Sequence, residues 1–175
     1  MSGRIVVPIE TRPEPKRRKV LVPLDGSKQA EAVLDSSLVA GEVDFMLLRV
    51  VPVTIGPLWT YVPKSDRLTP DAFADAKEEA EFYLADVAER LGAWAHHVHT
   101  QVILEVSVAQ AITDYAAAHE VALIAMATHG RSGIKRAVLG SVAEGVMRNS
   151  TVPVLLLPAQ AAERAEAAFA VAPAM

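Results

Sequence analysis

The chain has no cysteine, which removes disulfide cross-links, thiolate nucleophiles and thiolate metal sites together. Aromatic residues make up only 5% of its 175 residues. Any core must therefore be built from Val, Leu, Ile, Ala and Met, which suits a parallel sheet covered by helices. No apolar run approaches the roughly 18–20 residues needed to cross a bilayer. The N-terminal stretch MSGRIVVPIETRPEPKRRK has neither the long apolar segment nor the small-residue cleavage pattern of a secretory leader. Positive charge is not in excess either: the formal net charge is −4, whereas nucleic-acid-binding domains carry a basic face. The basic cluster Lys16-Arg17-Arg18-Lys19 abuts a predicted strand and reads as a solubilising flank. A cytoplasmic protein, with no membrane and no nucleic acid as partner, is expected.

Several motifs of phosphate and acyl chemistry are also missing. There is no Gly-x4-Gly-Lys-Ser/Thr loop, no Gly-x-Gly-x-x-Gly fingerprint and no Gly-x-Ser-x-Gly elbow. No evident general base stands beside a nucleophile, so binding rather than catalysis is the expectation, with no catalytic residue named.

What is present is 51% apolar and 22% charged sequence, enough to fill one compact core. Residues 1–18 form a Pro- and charge-rich extension. Within it Arg4–Glu10 echoes Lys19–Asp25, and either chance or an added edge strand accounts for the echo. From Lys19 onward, short aliphatic runs alternate with helical patterns. Strands are predicted at Val20–Leu24, Phe45–Val51, Val98–Leu104, Val121–Ala127 and Val152–Leu157. Helices are predicted at Lys28–Ala40, from Pro70 to about Leu91, from the Ser107 cap to Ala118, and from about Ser141 to Asn149. Residues 54–68, with Trp59 and Tyr61, read as a long loop that is either a lid or an interaction surface, and residues 159–175 as an Ala-rich tail. Such alternation implies a parallel sheet with right-handed crossovers and helices on both faces. Ligands of such sheets sit beyond the C-terminal strand ends, where strand order reverses.

Two turns therefore matter: Asp25-Gly26 after the first strand, and the segment Ala125-Met126-Ala127-Thr128-His129-Gly130-Arg131-Ser132-Gly133 running on to Gly140-Ser141-Val142. Glycines allow close backbone approach and positive φ, and a helix N-terminus favours phosphate. On spacing alone, an ordinary strand–loop–helix connection with a Gly-Ser cap explains the segment as well. Asp25 likewise has a local reading as a turn residue. The cations Arg131, Lys135 and Arg136 either reach toward a phosphate tail or are simply solvated. His97 and His99 share a strand face while His96 does not, and no nearby carboxylate completes a metal set; no metal site is expected.

The segment from Gly130 to Ser141 resembles the nucleotide loop of the universal stress protein family. ATP-binding members of that family show Gly, two residues, Gly, nine residues, then Gly-Ser or Gly-Thr. Gly130, nine residues, then Gly140-Ser141 match, while Ala127 replaces the first glycine. Val20–Ser27 resembles the opening strand with its aspartate, Leu47–Val50 the second strand, and Val152–Pro158 the last. The resemblance covers about residues 19–158. It implies a single-domain, Rossmann-like, doubly wound five-stranded parallel sheet in strand order 3-2-1-4-5. It also implies a homodimer through the Val152–Leu157 strand, and ATP, with or without Mg2+, as ligand. Carried over by position, Asp25 and the backbone of Val50 would meet adenine or ribose. Pro23, Met126 and Ala127 would line the sugar side. Gly130, Gly140, Ser141 and Val142 would hold phosphates, with Arg131 and Gly133 in the same loop. The Ser-Gly-Gly-x-Asp-Ser signature of the related ATP pyrophosphatases is absent, although slow ATP hydrolysis is compatible with the resemblance. Ala127 favours a second expectation, a nucleotide-free dimerising adaptor of the same fold.

Overall fold

The computed structural model describes residues 17–34, 43–53, 70–92, 97–128 and 139–158. They form β1 (Arg18–Pro23), α1 (Lys28–Glu31), β2 (Val43–Pro52), α2 (Pro70–Gly92), β3 (His97–Glu105), α3 (Val108–Ala118), β4 (Leu123–Ala127), α4 (Ser141–Asn149) and β5 (Val154–Leu157). The sheet has order β3-β2-β1-β4-β5 with every neighbouring pair parallel, as the alternating pattern and the resemblance implied. The N-terminal echo, the 54–68 loop with Trp59 and Tyr61, His96 and the C-terminal tail lie outside the described residues.

Strand side chains alternate between two faces, and the core divides accordingly. Val20, Val22, Phe45 and Leu47 pack with Ala30 of α1, Val33 just beyond it, and Leu84 and Val87 of α2. Leu21, Met46, Leu48 and Ile124 pack with Ile112, Ala116, Ala143 and Val146 from α3 and α4. Each fully buried Leu or Ile, such as Leu84 or Ile112, stabilises the fold by about 1.5–3 kcal/mol. On α2, Ala80, Leu84 and Val87 lie at helical spacing and are buried.

Helix starts follow the sequence. Ser27 Oγ accepts from the Ala30 N–H at 3.2 Å and Ser107 Oγ from that of Gln110 at 3.4 Å, each cap contributing about 1 kcal/mol.

Several predicted boundaries are corrected, the first strand among them: it runs Arg18–Pro23 where Val20–Leu24 was expected. β2 begins at Val43, because Val43 and Asp44 pair with Arg18 and Lys19. β4 begins at Leu123, not Val121: the Val121 N–H donates to the Ala116 carbonyl at 3.2 Å and so completes the end of α3. The Val152–Leu157 strand begins at Val154, because Ser150 Oγ both accepts from the Val152 N–H and donates to its carbonyl, while Pro153 has no N–H to give a ladder. The first helix, expected to reach Ala40, is helical over Lys28–Glu31. It then tightens to i→i−3 bonds at Val33 and Leu34, and residues 35–42 lie outside the described residues. Among the described residues no helix is long and apolar enough to cross a membrane, and no three His, Asp or Glu side chains gather as a metal site.

Candidate functional site

The site begins where the strands part company. β1 pairs with β2 as far as Pro23↔Leu48, whereas β2 continues alongside β3 to Pro52↔Glu105. On its other side β1 pairs with β4 at Val20↔Leu123 and Leu21↔Ile124, and β4 runs on beside β5 to Ala127↔Leu157. A crevice opens at the C-terminal edge of the sheet, at the point where strand order reverses. It holds a cavity of about 330 Å³.

The first wall is the β1–α1 turn. Gly26 has φ 82°, a conformation that strains any residue with a Cβ. The Ser27 N–H donates to Asp25 Oδ1 at 3.0 Å while Asp25 also lines the cavity. The turn role read for this aspartate is therefore met, and the same residue borders the cavity. Above it β2 overruns β1. The Leu24 N–H donates to the Leu48 carbonyl at 2.8 Å, so Leu48 presents its main chain toward β1. By strand alternation the N–H and C=O of Val50, two residues on, face the same side, which β1 has vacated.

The second wall is the end of β4 and the start of α4. The Thr128 N–H donates to the Leu157 carbonyl and the Gly140 N–H to the Thr128 carbonyl, both at 2.9 Å. A Cβ at Gly140 would lie 3.0 Å from the Thr128 oxygen, so any side chain here would press that carbonyl outward by a few tenths of an ångström. The same bond corrects one expectation: the Gly140 amide is spent on Thr128 and is not free to hold a phosphate. The main-chain donors left over are those of Ser141, Val142 and Ala143, which have no partner within the helix. Gly140 supplies no side-chain cap, and its carbonyl accepts from the Glu144 N–H at 2.8 Å.

Of the residues named from sequence, Pro23, Asp25, Val50, Met126, Ala127, Gly140, Ser141 and Val142 are brought together around this one cavity. Gly130, Arg131 and Gly133, with Lys135 and Arg136, lie outside the described residues. Leu48, Val108, Ile112 and Thr128 also line it and were not anticipated. Val108 and Ile112 are spaced i, i+4 at the start of α3, a visible apolar pair, but nothing local in the sequence says which crevice that pair borders. The cavity thus has an aliphatic wall and a polar rim of Asp25, Thr128 and Ser141. That arrangement suits a ligand with a flat, weakly polar body and an anionic tail.

Comparison with known proteins identifies the family. The sequence model of the universal stress protein family matches residues 16–158. Universal stress protein MJ0531 of Methanocaldococcus jannaschii is 31% identical over 142 residues, covering 80% of this chain and 81% of that protein. The crystal structure of the hypothetical protein PH0823 superposes with a TM-score of 0.64 at 27% identity, covering 81% of this chain and 95% of that one. A universal stress protein solved in complex with cAMP shares the fold at 18% identity, with a TM-score of 0.58 over 82% of this chain and 98% of its own. With the match spanning nearly all of the described sheet, the chain belongs to the universal stress protein family.

Proposed function

We propose that the chain binds an adenine nucleotide, ATP in the first instance, in the cavity between the two turns, and that it works as a regulatory homodimer in the cytoplasm in a stress response. One observation carries this reading: two segments far apart in sequence, Pro23–Asp25 and Gly140–Val142, border a single cavity at the reversal point of the sheet. The main chain of Val50, on the side of β2 beyond the end of β1, offers a donor and an acceptor to a base lying on the aliphatic wall. The first turn of α4 offers amides and partial positive charge to phosphates. Asp25, an anion itself, belongs at the sugar or base end, away from the phosphates. The cAMP-bound protein supports the fold; the ligand reading rests on the cavity.

Titration with a fluorescent ATP analogue, with and without Mg2+, tests the proposal. A Kd of about 1–100 μM is expected. Gly140→Asp, checked for an intact fold by circular dichroism, should abolish binding, because it crowds the Thr128 carbonyl and adds negative charge at the phosphate end. No binding at millimolar nucleotide would overturn the reading. It would favour the alternative, a nucleotide-free dimerising module, which the engaged Gly140 amide and the Ala127 methyl in the cavity wall support. Either way the molecule is read as a binding protein, and turnover faster than about 1 per second would contradict that. For the dimer, β5 is an edge strand whose Val154, Leu155 and Leu156 are only half-buried. An aliphatic edge of this kind calls for cover. Sedimentation at micromolar concentration should show a dimer, and monomer alone would remove this part of the proposal.

A further inference from the structure

Arg49 sits in β2 between buried residues, Leu47 and Leu48 on one side and Val50 and Val51 on the other. A guanidinium in such a strand is tolerated only when paired. Its side chain leaves the sheet on the face opposite to that of Val50, toward α1 and α2. There Nη1 donates to the Leu24 carbonyl at 3.2 Å. The amide on the other side of Leu24 is held by the adjacent residue of β2, through the Leu24 N–H to the Leu48 carbonyl at 2.8 Å. Consecutive residues of β2 therefore grip both peptide groups of Leu24, the residue immediately before Asp25.

Behind Arg49 lies the Tyr83 ring, with the guanidinium carbon 5.8 Å from its centroid, a distance at which cation–π attraction operates. The Tyr83 hydroxyl donates to Glu31 Oε1 at 3.0 Å, and Arg90 Nη2 donates to Glu31 Oε2 at 2.9 Å. Glu31 belongs to α1, the helix that the Asp25 turn feeds. Helix α2 thus holds α1 through Glu31 and backs Arg49 at the same time, and the turn carrying Asp25 is suspended between these two attachments.

We infer that Arg49 is a positioning residue for the cavity: by clamping the Leu24 carbonyl from the far face of the sheet, it fixes the turn that presents Asp25. Its effect on binding rests on the nucleotide reading above, whereas its effect on the turn does not. Arg49 touches no ligand in this scheme and acts through the backbone.

Two measurements on full-length protein separate this role from a general structural one. The first needs no ligand: amide hydrogen exchange read by NMR. In Arg49→Met, exchange of the Ser27 N–H, which donates to Asp25, should accelerate by about ten-fold, the scale set by losing one hydrogen bond. Amides of β4 should be unchanged. Arg49→Lys, retaining the charge over Tyr83 and a donor, should stay nearer the wild type. Uniform acceleration across the sheet, or none at Ser27, overturns the inference. The second is a double-mutant cycle on the Kd for the ATP analogue. Arg49→Met alone should weaken binding by about ten-fold, but by less than about two-fold in an Asp25→Asn background, because the two changes act on the same contact. Additive effects would overturn the positioning role. If Ser27 responds as expected while wild-type protein binds no nucleotide, the nucleotide proposal fails and the clamp on the turn stands.

Discussion

Within the two helical layers that cover the sheet, the helices are joined to each other by opposite means. Helices α1 and α2 meet through long polar side chains, the chain of bonds from Tyr83 to Glu31 to Arg90, with a further ion pair from Arg90 to Asp86 at 3.1 Å. Helices α3 and α4 meet through near absence of side chain: a Cβ placed on Gly145 would lie 2.7 Å from the Cβ of Ala109. Long polar contacts tolerate adjustment at either end, whereas a contact between small residues sets the helix separation rigidly. That difference bears on the site, because the starts of α3 and α4 supply Val108, Ile112, Ser141 and Val142 to the cavity. The small-residue layer fixes how wide the cavity is; the polar layer fixes how its Asp25 turn is held.

The comparison is most easily broken at Gly145. Helix propensity alone says that Gly145→Ala should stabilise α4 by roughly 1 kcal/mol. The overlap with Ala109 Cβ says the opposite, since the neighbouring methyl is fixed to its own backbone and cannot swing away. The steric effect should win, leaving a net loss of about 1–3 kcal/mol, read as a lower urea midpoint. A stabilised variant would show that the two helices are free to separate, and that the contrast between the layers is false.

The polar layer responds to pH instead. Burial, then the negative charge of Glu31 and the hydrogen bond to it, raise the Tyr83 phenol above its ordinary 10.0; Asp25 adds to this and Arg49 opposes it. The folded chain therefore holds that proton more tightly than the unfolded chain. Its contribution to stability is complete below about pH 10, where the unfolded phenol is also protonated, and declines as pH rises toward the folded value. Tyr83→Phe should cost about 1 kcal/mol near neutrality through the lost bond to Glu31. Above pH 10 its stability should fall less steeply than that of the wild type. Urea midpoints measured across that range for both proteins check it, and parallel curves would mean that Tyr83 is not the titrating tie.

Much of this was readable in advance, for identifiable reasons. Near-continuous aliphatic runs at Val20–Leu24 and Phe45–Val51 mark strands buried on both faces, and five strands alternating with four helices leave little choice of fold. Asp25 and Ser141 were legible because strand ends at a reversal point are where a crevice must open, whereas Pro23 and Met126 were placed at the site only by the resemblance to the family. Other features depend on partners that no local pattern reveals. Val121 looks like the first residue of β4 but closes the end of α3, and Val152 looks like the start of β5 but is held in a turn by Ser150. The Gly140 amide looked like a phosphate donor, and only its distance to the Thr128 carbonyl shows that it is already used. Arg49 carried no signal as a single residue in an aliphatic strand; its role exists only once Leu24, Tyr83 and Glu31 surround it.

The smallest effect expected is a gain, at the other end of the small-residue layer. Glu120 has φ 54°, a left-handed conformation that costs an L-residue about 1 kcal/mol. It follows the His119 cap of α3, where the Val121 N–H returns to the Ala116 carbonyl, and Val121 and Ala116 are buried in one cluster. This is the helix ending that usually takes glycine. Glu120→Gly relieves the strain but gives the unfolded chain more freedom. The balance should be a stabilisation of about 0.5 kcal/mol, a rise of roughly 1–2 °C in Tm for a chain of this size. Glu120→Ala keeps the Cβ and the strain, so it should show no gain. Glu120 also makes an interaction of its own, and its loss would work against the glycine variant. If the two variants fall together, that interaction outweighs the backbone strain, and the end of α3 is held by side chains as the α1–α2 layer is.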